Sequence, residues 1–188
     1  MPAPYISREE LRRAVVRLAA EIDSDHPDGV HLVAVLRGSV FFLADLIRAM
    51  QVPCSVDFIA ISHYSSNTGR VRITKDLDID IGGRGVVVVE DIVDTGLTMT
   101  YLLNQLATRD PARLEVCTLL DRHRSRIVPL FPRYSGFRVE DEFLVGYGLD
   151  FEQRYRNLPD IYEAHLPTLA RDPDASVRAF YAPAEQDG

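Results

Sequence analysis

The sequence predicts a single α/β domain built on a mostly parallel β-sheet with helices packed on it. Strand-like and helix-like segments alternate between residues 30 and 120, which is typical of parallel strands joined by helical crossovers. Residues 86–89 are four consecutive valines, and such a run favours a strand that is covered on both faces. With 188 residues the chain is long enough for one well-buried core.

The elements follow from local patterns. Ser7 and Glu10 have capping-box spacing, and apolar residues then recur at helical intervals, so a helix is predicted over residues 8–23. Apolar periodicity and helix start and stop signals also predict the later strands and helices. The strands are residues 30–36, 52–61, 86–89, 114–120 and 143–145, and the helices are residues 40–50 and 98–108.

Two segments lack such patterns. Residues 62–76 are polar and include a run of Ser, Asn, Thr and Gly, so we expect a mobile surface loop. The residues after Ala170 look peripheral. We therefore expect one domain over residues 1–170 and a C-terminal tail over residues 171–188.

Composition excludes several classes of function. The net charge of −7 argues against a nucleic-acid partner, and no apolar run approaches the length of a membrane span. Cys54 and Cys117 lie apart in apolar segments and are predicted to be buried free thiols, which indicates a reducing compartment. Because the N-terminus has no secretory pattern, we expect a cytoplasmic protein.

The most informative segment follows the four valines. Glu90 and Asp91 come at the carboxyl end of a predicted parallel strand, where open α/β sheets bind ligands. The small, hydroxyl-rich turn at residues 95–98 then leads into a helix, and a helix N-terminus favours a phosphate. Carboxylates would meet hydroxyls or a cation, so the pattern indicates a sugar phosphate.

Other motifs for nucleotides or metals are missing. The sequence has no phosphate-binding P-loop, no G-x-G-x-x-G after a strand, and no His or Cys spacing of a zinc site. Asp94 has two interpretations from the residues alone, a functional carboxylate or the N-cap of the following helix.

The segment 90–98 closely resembles the phosphoribosyl-diphosphate (PRPP) motif of type I phosphoribosyltransferases, in the form found in the 6-oxopurine branch. The resemblance spans about residues 5–165, so it implies the type I phosphoribosyltransferase fold with a small hood from the N- and C-terminal segments. Further motifs that carry it are residues 35–39, 75–78, 119–122, 143–150 and 154–159.

The resemblance implies roles for the segment after the valines. Glu90 and Asp91 would bind the ribose hydroxyls, directly or through Mg²⁺, and are the candidate metal ligands together with Asp150. Asp94 would be the catalytic residue, accepting the proton at N7 of the purine. The 5′-phosphate would be held by the turn that includes Asp94, Thr95, Gly96, Leu97 and Thr98.

The pyrophosphate group would be bound from two places. Leu36, Arg37 and Gly38 form one turn, whose first peptide bond is often cis in this family. Arg156 would provide a planar donor pair for phosphate oxygens. Asp150 would organise a second Mg²⁺ through water, since Mg²⁺ keeps several waters.

The base site implied by the resemblance combines Arg122, Phe143, Leu144 and Asp150. Phe143 would stack on the purine, backbone groups around Leu144 would contact its edge, and Arg122 would donate to O6. The family usually has Lys at position 122, and Arg is not equivalent to it. His63 and Tyr64 would lie in a loop that closes over the reaction centre, with His63 where Ser is usual.

These roles imply purine salvage. The chain would transfer the phosphoribosyl group from PRPP to hypoxanthine or guanine, giving IMP or GMP and pyrophosphate, with Mg²⁺ as cofactor. The family usually forms homodimers or homotetramers. Two alternatives stay open: a preference for another base such as xanthine, and a regulatory nucleotide-binding homologue with weak catalysis.

Overall fold

The structure is a computed structural model that describes residues 3–63, 71–174 and 180–181. Helices separate the strand at residues 30–36 from that at 54–63 and the strand at 85–93 from that at 113–121, as the predicted alternation requires. In chain order the elements are α1 (Arg8–Asp25), β1 (Val30–Leu36), α2 (Ser39–Ala49), β2 (Cys54–His63), β3 (Val71–Lys75), β4 (Gly85–Val93), α3 (Leu97–Ala107), β5 (Arg113–Asp121), β6 (Tyr134–Arg138), β7 (Leu144–Val145), β8 (Tyr162–Glu163) and α4 (Leu166–Arg171). The predicted capping box is present at the start of α1, where the Ser7 amide donates to Glu10 Oε2 over 2.9 Å and the Glu10 amide donates to Ser7 Oγ over 3.3 Å.

The main sheet has the strand order β3-β2-β1-β4-β5-β6. Strands β2, β1, β4, β5 and β6 pair in parallel, and only β3 is antiparallel to its neighbour β2. The prediction of a mostly parallel sheet is therefore confirmed. The chain leaves β1 toward β2 and leaves β4 toward β5, so its direction across the sheet reverses between β1 and β4.

The four valines lie in the central strand β4, which is covered on both faces. All of residues 86–89 are fully buried, and β4 pairs with β1 on one side and β5 on the other. Leu102 and Leu106 of α3 belong to the same core cluster as Val86 and Val88. Truncating such a fully buried leucine to alanine typically costs about 2–5 kcal/mol of stability.

Two predictions were wrong. The polar segment 62–76 is not all loop, because β2 extends to residue 63 and residues 71–75 form the edge strand β3. Val71 and Ile73 alternate with polar residues, and this period-2 pattern suits an edge strand with one covered face. Cys54 is exposed, since it lies at the start of β2, whereas Cys117 on β5 is buried as expected.

The chain divides into two compact units. The larger is Arg13–Asp141 and holds the main sheet; the smaller joins the chain up to Arg12 with the chain from Glu142 onward. In the smaller unit, β7 and β8 form an antiparallel pair and Ile6 bridges to Ile161. Its apolar cluster comprises Val145, Tyr155, Leu158, Tyr162, Ala164, Leu169 and Phe180. In the described part of the chain, no helix is both long and apolar enough to cross a membrane.

Candidate active site

The candidate site of the larger unit lies where β1 and β4 end. These strands are parallel neighbours on either side of the reversal in strand order, which is where open α/β sheets bind ligands. A cavity of about 320 Å³ opens there. It is lined by Val35, Leu36, Ile61, Glu90, Ile92, Val93, Asp94, Thr95, Gly96, Thr98 and Met99.

The turn after β1 contacts the end of β4 at Gly38. A Cβ atom on Gly38 would overlap the Oδ2 atom of Asp91, so no other residue fits while Asp91 stays in place. The Leu36–Arg37 peptide bond is cis, as the resemblance led us to expect. The turn is anchored by Ser39, whose Oγ donates to the carbonyl oxygen of Val35 over 2.5 Å. Leu36, Gly38 and Asp91 are thus brought together.

Glu90 presents a carboxylate oxygen that lacks a protein partner. Its Oε2 atom is shielded from solvent and accepts no hydrogen bond. Burial raises the pKa of Glu90 well above its ordinary value, and the neighbouring charge and hydrogen bond of Asp91 raise it further. A positive charge or hydroxyl donors arriving at this position would satisfy the carboxylate and favour its ionised form.

Asp94 does not cap the following helix. The N-cap of α3 is Gly96, which has a left-handed backbone with φ of +81° and no side-chain cap. Asp94 instead accepts a hydrogen bond from Arg122 Nη1 through Oδ2 at 3.3 Å, while its Oδ1 is buried without a partner. The Arg122 Nε donates to the Glu140 carbonyl oxygen over 2.7 Å, which fixes the guanidinium beside Asp94.

The turn from Thr95 to Thr98 is supported from one side by the segment after β5. The amide of Ile127 donates to the Thr95 carbonyl oxygen over 2.9 Å, and the Leu97 amide reaches Thr95 Oγ1 at 3.4 Å. The amides of the first turn of a helix have no intrahelical acceptors, so the start of α3 can bind an anion.

Arg126 is a residue of this site that the sequence did not reveal. Its guanidinium pairs with Asp121, but Nε and Nη1 are buried without partners, and its Cδ lies 3.0 Å from the position of a Cβ on Gly96. It therefore places a buried positive charge next to the turn. Arg122 and Arg124 stand four and two residues before it, and nothing in the sequence distinguishes the three.

The smaller unit holds the other predicted residues. Arg156 Nη2 pairs with Asp150 Oδ1 at 2.8 Å, and Arg156 Nη1 donates to the Gly148 carbonyl oxygen over 2.6 Å. Asp150 Oδ2 accepts from the Gln153 amide at 2.8 Å. Phe143 packs edge-on against Phe151 with 5.8 Å between ring centroids, and Leu144 begins β7.

The predicted closing loop falls mostly beyond the described residues. Tyr64 lies outside them, and His63 is described only as the last residue of β2. A preformed metal cluster is also missing from the described segments, where no three His, Cys, Asp or Glu side chains converge. Glu90 and Asp91 nevertheless suit Mg²⁺, because this ion binds through one or two carboxylates and takes its other oxygens from water and substrate phosphates.

Comparison with known proteins agrees with this geometry. Residues 7–152 match the family described as phosphoribosyl transferase domain. A hypoxanthine-guanine phosphoribosyltransferase of Mycobacterium avium is 43% identical over 163 residues, covering 81% of this chain and 80% of the relative. The chain belongs to the hypoxanthine-guanine phosphoribosyltransferase family.

Further relatives support the assignment. The hypoxanthine phosphoribosyltransferase of Escherichia coli K12 is 43% identical, with 83% of this chain and 91% of the relative covered. A crystal structure of a Bacillus anthracis hypoxanthine-guanine phosphoribosyltransferase superposes with a TM-score of 0.84 at 42% identity, covering 88% of this chain and 99% of that one. The Trypanosoma cruzi enzyme gives 0.86 at 35% identity, covering 92% and 96%. The chain is therefore a transferase with the predicted type I fold.

Proposed function

We propose that this phosphoribosyltransferase salvages purines by transferring the phosphoribosyl group of PRPP to hypoxanthine or guanine. One observation carries the proposal more than any other. Asp94 follows a buried strand, stands next to an anion-ready turn and keeps one buried carboxylate oxygen without a partner. A group that accepts a proton from a bound base needs such an oxygen.

PRPP would be held along its length. The turn from Asp94 to Thr98 takes the 5′-phosphate with backbone amides and hydroxyls, with the charge of Arg126 beside it. Glu90 and Asp91 take the ribose hydroxyls, and the position of Asp91 beside Gly38 supports this. Leu36, Arg37 and Gly38, with Arg156, take the pyrophosphate, for which Arg is the suitable planar donor.

In the reaction the bond from C1′ to the pyrophosphate oxygen breaks and a bond from C1′ to N9 of the purine forms. Positive charge develops on C1′ and the ribose oxygen as pyrophosphate leaves with the bonding electrons. The purine loses the proton on its N7 atom, and the Asp94 carboxylate accepts it. Arg37 and Arg156 stabilise the negative charge that accumulates on the leaving group.

The base would be recognised by Arg122, Phe143 and Leu144. Arg122 donates to the O6 atom of a 6-oxopurine, Phe143 offers a ring face for stacking, and the backbone at Leu144 contacts the base edge. The contact of Arg122 Nη1 with Asp94 supports this assignment, because it brings the O6 donor and the N7 acceptor side by side.

Mg²⁺ is proposed as the cofactor, held by Glu90 and Asp91 and by Asp150 through water. When bound, Mg²⁺ neutralises charge on the diphosphate and makes it a better leaving group. The unpartnered oxygen of Glu90 supports this assignment. His63 and Tyr64 are proposed to close over the site and to exclude water.

We also propose a homodimer or homotetramer in the cytoplasm. Ile127 and Phe131 are exposed apolar side chains on one segment, and such side chains favour association. In the hypoxanthine phosphoribosyltransferase of Trypanosoma cruzi, the C-terminal region has a role in the oligomeric state and in enzymatic activity. The free thiols of Cys54 and Cys117 suit a reducing compartment.

The test is a spectrophotometric assay with PRPP, Mg²⁺ and each of hypoxanthine, guanine, xanthine and adenine. We expect nucleotide from hypoxanthine or guanine and none without Mg²⁺. Highest turnover with xanthine would favour the alternative base preference. Failure with every base, in protein whose circular dichroism shows a folded domain, would leave the regulatory homologue as the better interpretation.

A further inference from the structure

The C-terminal segment beyond the matched family region has contacts that the proposed function does not use. The family match ends at residue 152, yet Pro173, Asp174, Phe180 and Tyr181 all contact the loop at residues 150–157. We call these four residues the C-terminal clasp. The loop they contact carries Asp150 and Arg156.

Hydrogen bonds tie the clasp to three parts of the loop. Arg154 Nε donates to Asp174 Oδ1 over 2.5 Å, and the Tyr155 hydroxyl donates to the Pro173 carbonyl oxygen over 2.6 Å. The Tyr181 hydroxyl donates to Asn157 Oδ1 over 2.7 Å. Tyr155 and Asn157 flank Arg156 in the chain, so the bonds hold the residues on both sides of it.

Aromatic packing adds to these bonds. The Tyr155 ring, which is almost fully buried, meets Phe180 edge-on at 5.7 Å and stacks on Tyr181 at 6.3 Å between centroids. Phe180 also packs on Tyr162 of β8 at 4.9 Å. Tyr155 is thus enclosed by the clasp, and it is the residue directly before Arg156.

The loop needs such support because its backbone is unfavourable. Glu152, Gln153 and Tyr155 have φ values of +48°, +66° and +74°, a region that residues other than glycine rarely occupy. Non-glycine residues persist there only where surrounding contacts determine the conformation.

We propose that the C-terminal clasp positions Asp150 and Arg156 for the pyrophosphate end of PRPP. This inference rests on the proposed function, because the role of the loop comes from it. Phe180 and Tyr181 are positioning residues: they act on Tyr155 and Asn157, and through them on Arg156. The clasp affects PRPP more than the purine, since Arg156 is assigned to the pyrophosphate.

The test compares Tyr181→Phe and Phe180→Ala with the full-length enzyme. Loss of one hydrogen bond in Tyr181→Phe should raise the KM for PRPP about fivefold. Phe180→Ala should raise it about tenfold or more, because packing on Tyr155 is lost. The KM for the purine should change less than about twofold in both. Tyr101→Phe, which removes a phenol hydroxyl from α3 of the larger unit, is the matched control.

Hydrogen exchange provides a readout that does not depend on activity. In both variants the amides of Gln153 and Arg154, which bond within the loop, should exchange about tenfold faster, with β4 unchanged. Unchanged exchange in the loop would overturn the clasp, even if the enzyme proves inactive. A similar rise in both KM values, or lower turnover with both KM values unchanged, would also overturn it. Inactive wild-type protein with faster loop exchange in the variants would instead refute the proposed function and leave the clasp supported.

Discussion

Each unit of the molecule contains an arginine–aspartate pair, and the two pairs are built differently. In the larger unit Arg122 reaches Asp94 at 3.3 Å, Asp94 is 46% exposed, and one of its oxygens has no partner. In the smaller unit Arg156 reaches Asp150 at 2.8 Å, both side chains are about one fifth exposed, and each makes another hydrogen bond to the backbone.

The difference extends to the surroundings. Buried polar atoms without partners occur on Glu90, Asp94 and Arg126 around the turn before α3 and on Thr100 in the first turn of that helix, whereas residues 146–158, all of them described, contribute none. Leaving a buried polar group unpaired typically costs about 1–3 kcal/mol. The larger unit therefore keeps its site ready for a ligand, while the smaller unit closes its loop with its own bonds.

The largest effect is expected at the pair of Arg122 and Asp94. Asp94→Asn keeps the shape but removes the proton acceptor, so kcat should fall about 10²–10⁴-fold while the KM for PRPP changes only a few-fold. Steady-state kinetics with hypoxanthine measure both. Asp45→Asn is the control, because Asp45 pairs with Arg48 and is similarly exposed on α2. An equal loss of kcat and PRPP affinity would make Asp94 a structural residue.

At the pair of Arg156 and Asp150, the affinity for PRPP and the stability of the fold should change together. Arg156→Gln removes the charge from the proposed pyrophosphate site and the partner of Asp150, so the KM for PRPP should rise about 10–100-fold. The free energy of unfolding should fall by about 1–3 kcal/mol. Kinetics and urea unfolding, with exposed Arg171→Gln as the control, test both. If Arg156→Gln loses affinity for PRPP but keeps its free energy of unfolding, then the Arg156–Asp150 pair serves the ligand alone, as the Arg122–Asp94 pair does.

Glu90, another group of the larger unit with an unpartnered oxygen, should make the stability of the protein depend on pH. Because the pKa of Glu90 is raised in the folded protein, folding binds a proton between the ordinary pKa and the raised one. Stability from this group is present below the ordinary value and is lost as pH rises through the raised value, by up to about 1.4 kcal/mol per pH unit.

Glu90→Gln should remove this pH dependence. Compared with the wild type, the variant should gain stability as pH rises from the ordinary pKa of a glutamate through the raised pKa of Glu90, with no gain at the acid end. Urea unfolding at each pH measures the difference, and exposed Glu163→Gln is the control. Parallel curves for Glu90→Gln and the wild type would show that Glu90 is not held in a protonated state.

The smallest effect is expected for Arg122→Lys. Lysine keeps a positive charge and hydrogen-bond donors near O6, so kcat/KM for 6-oxopurines should stay equal or rise by less than about fivefold. The variant loses the hydrogen bond from Arg122 Nε to the Glu140 carbonyl oxygen, so the side chain is held less firmly and the preference among purines can change. The assay with four purines measures both the activity and this preference. A collapse of activity would mean that the pocket has adapted to Arg122.

The sequence predicted what depends on local patterns. Strands β1, β4 and β5 and the turn at Gly96 follow from apolar runs and small residues, and they position most of the site. Arg126 and the pairing of Arg122 with Asp94 depend on side chains far apart in sequence, so periodicity could not reveal them. The edge strand β3 was missed because a short, half-polar strand looks like a loop without its partner β2.

The contact of Gly38 with Asp91 has a consequence for how this enzyme can diverge. Any side chain at position 38 collides with Asp91 Oδ2. A change at position 38 is therefore tolerated only where the Asp91 side chain turns away or is replaced, and either change disturbs a proposed ribose contact. The two positions are coupled in one direction, and random libraries of this enzyme should recover substitutions at position 38 mostly together with a substitution at position 91.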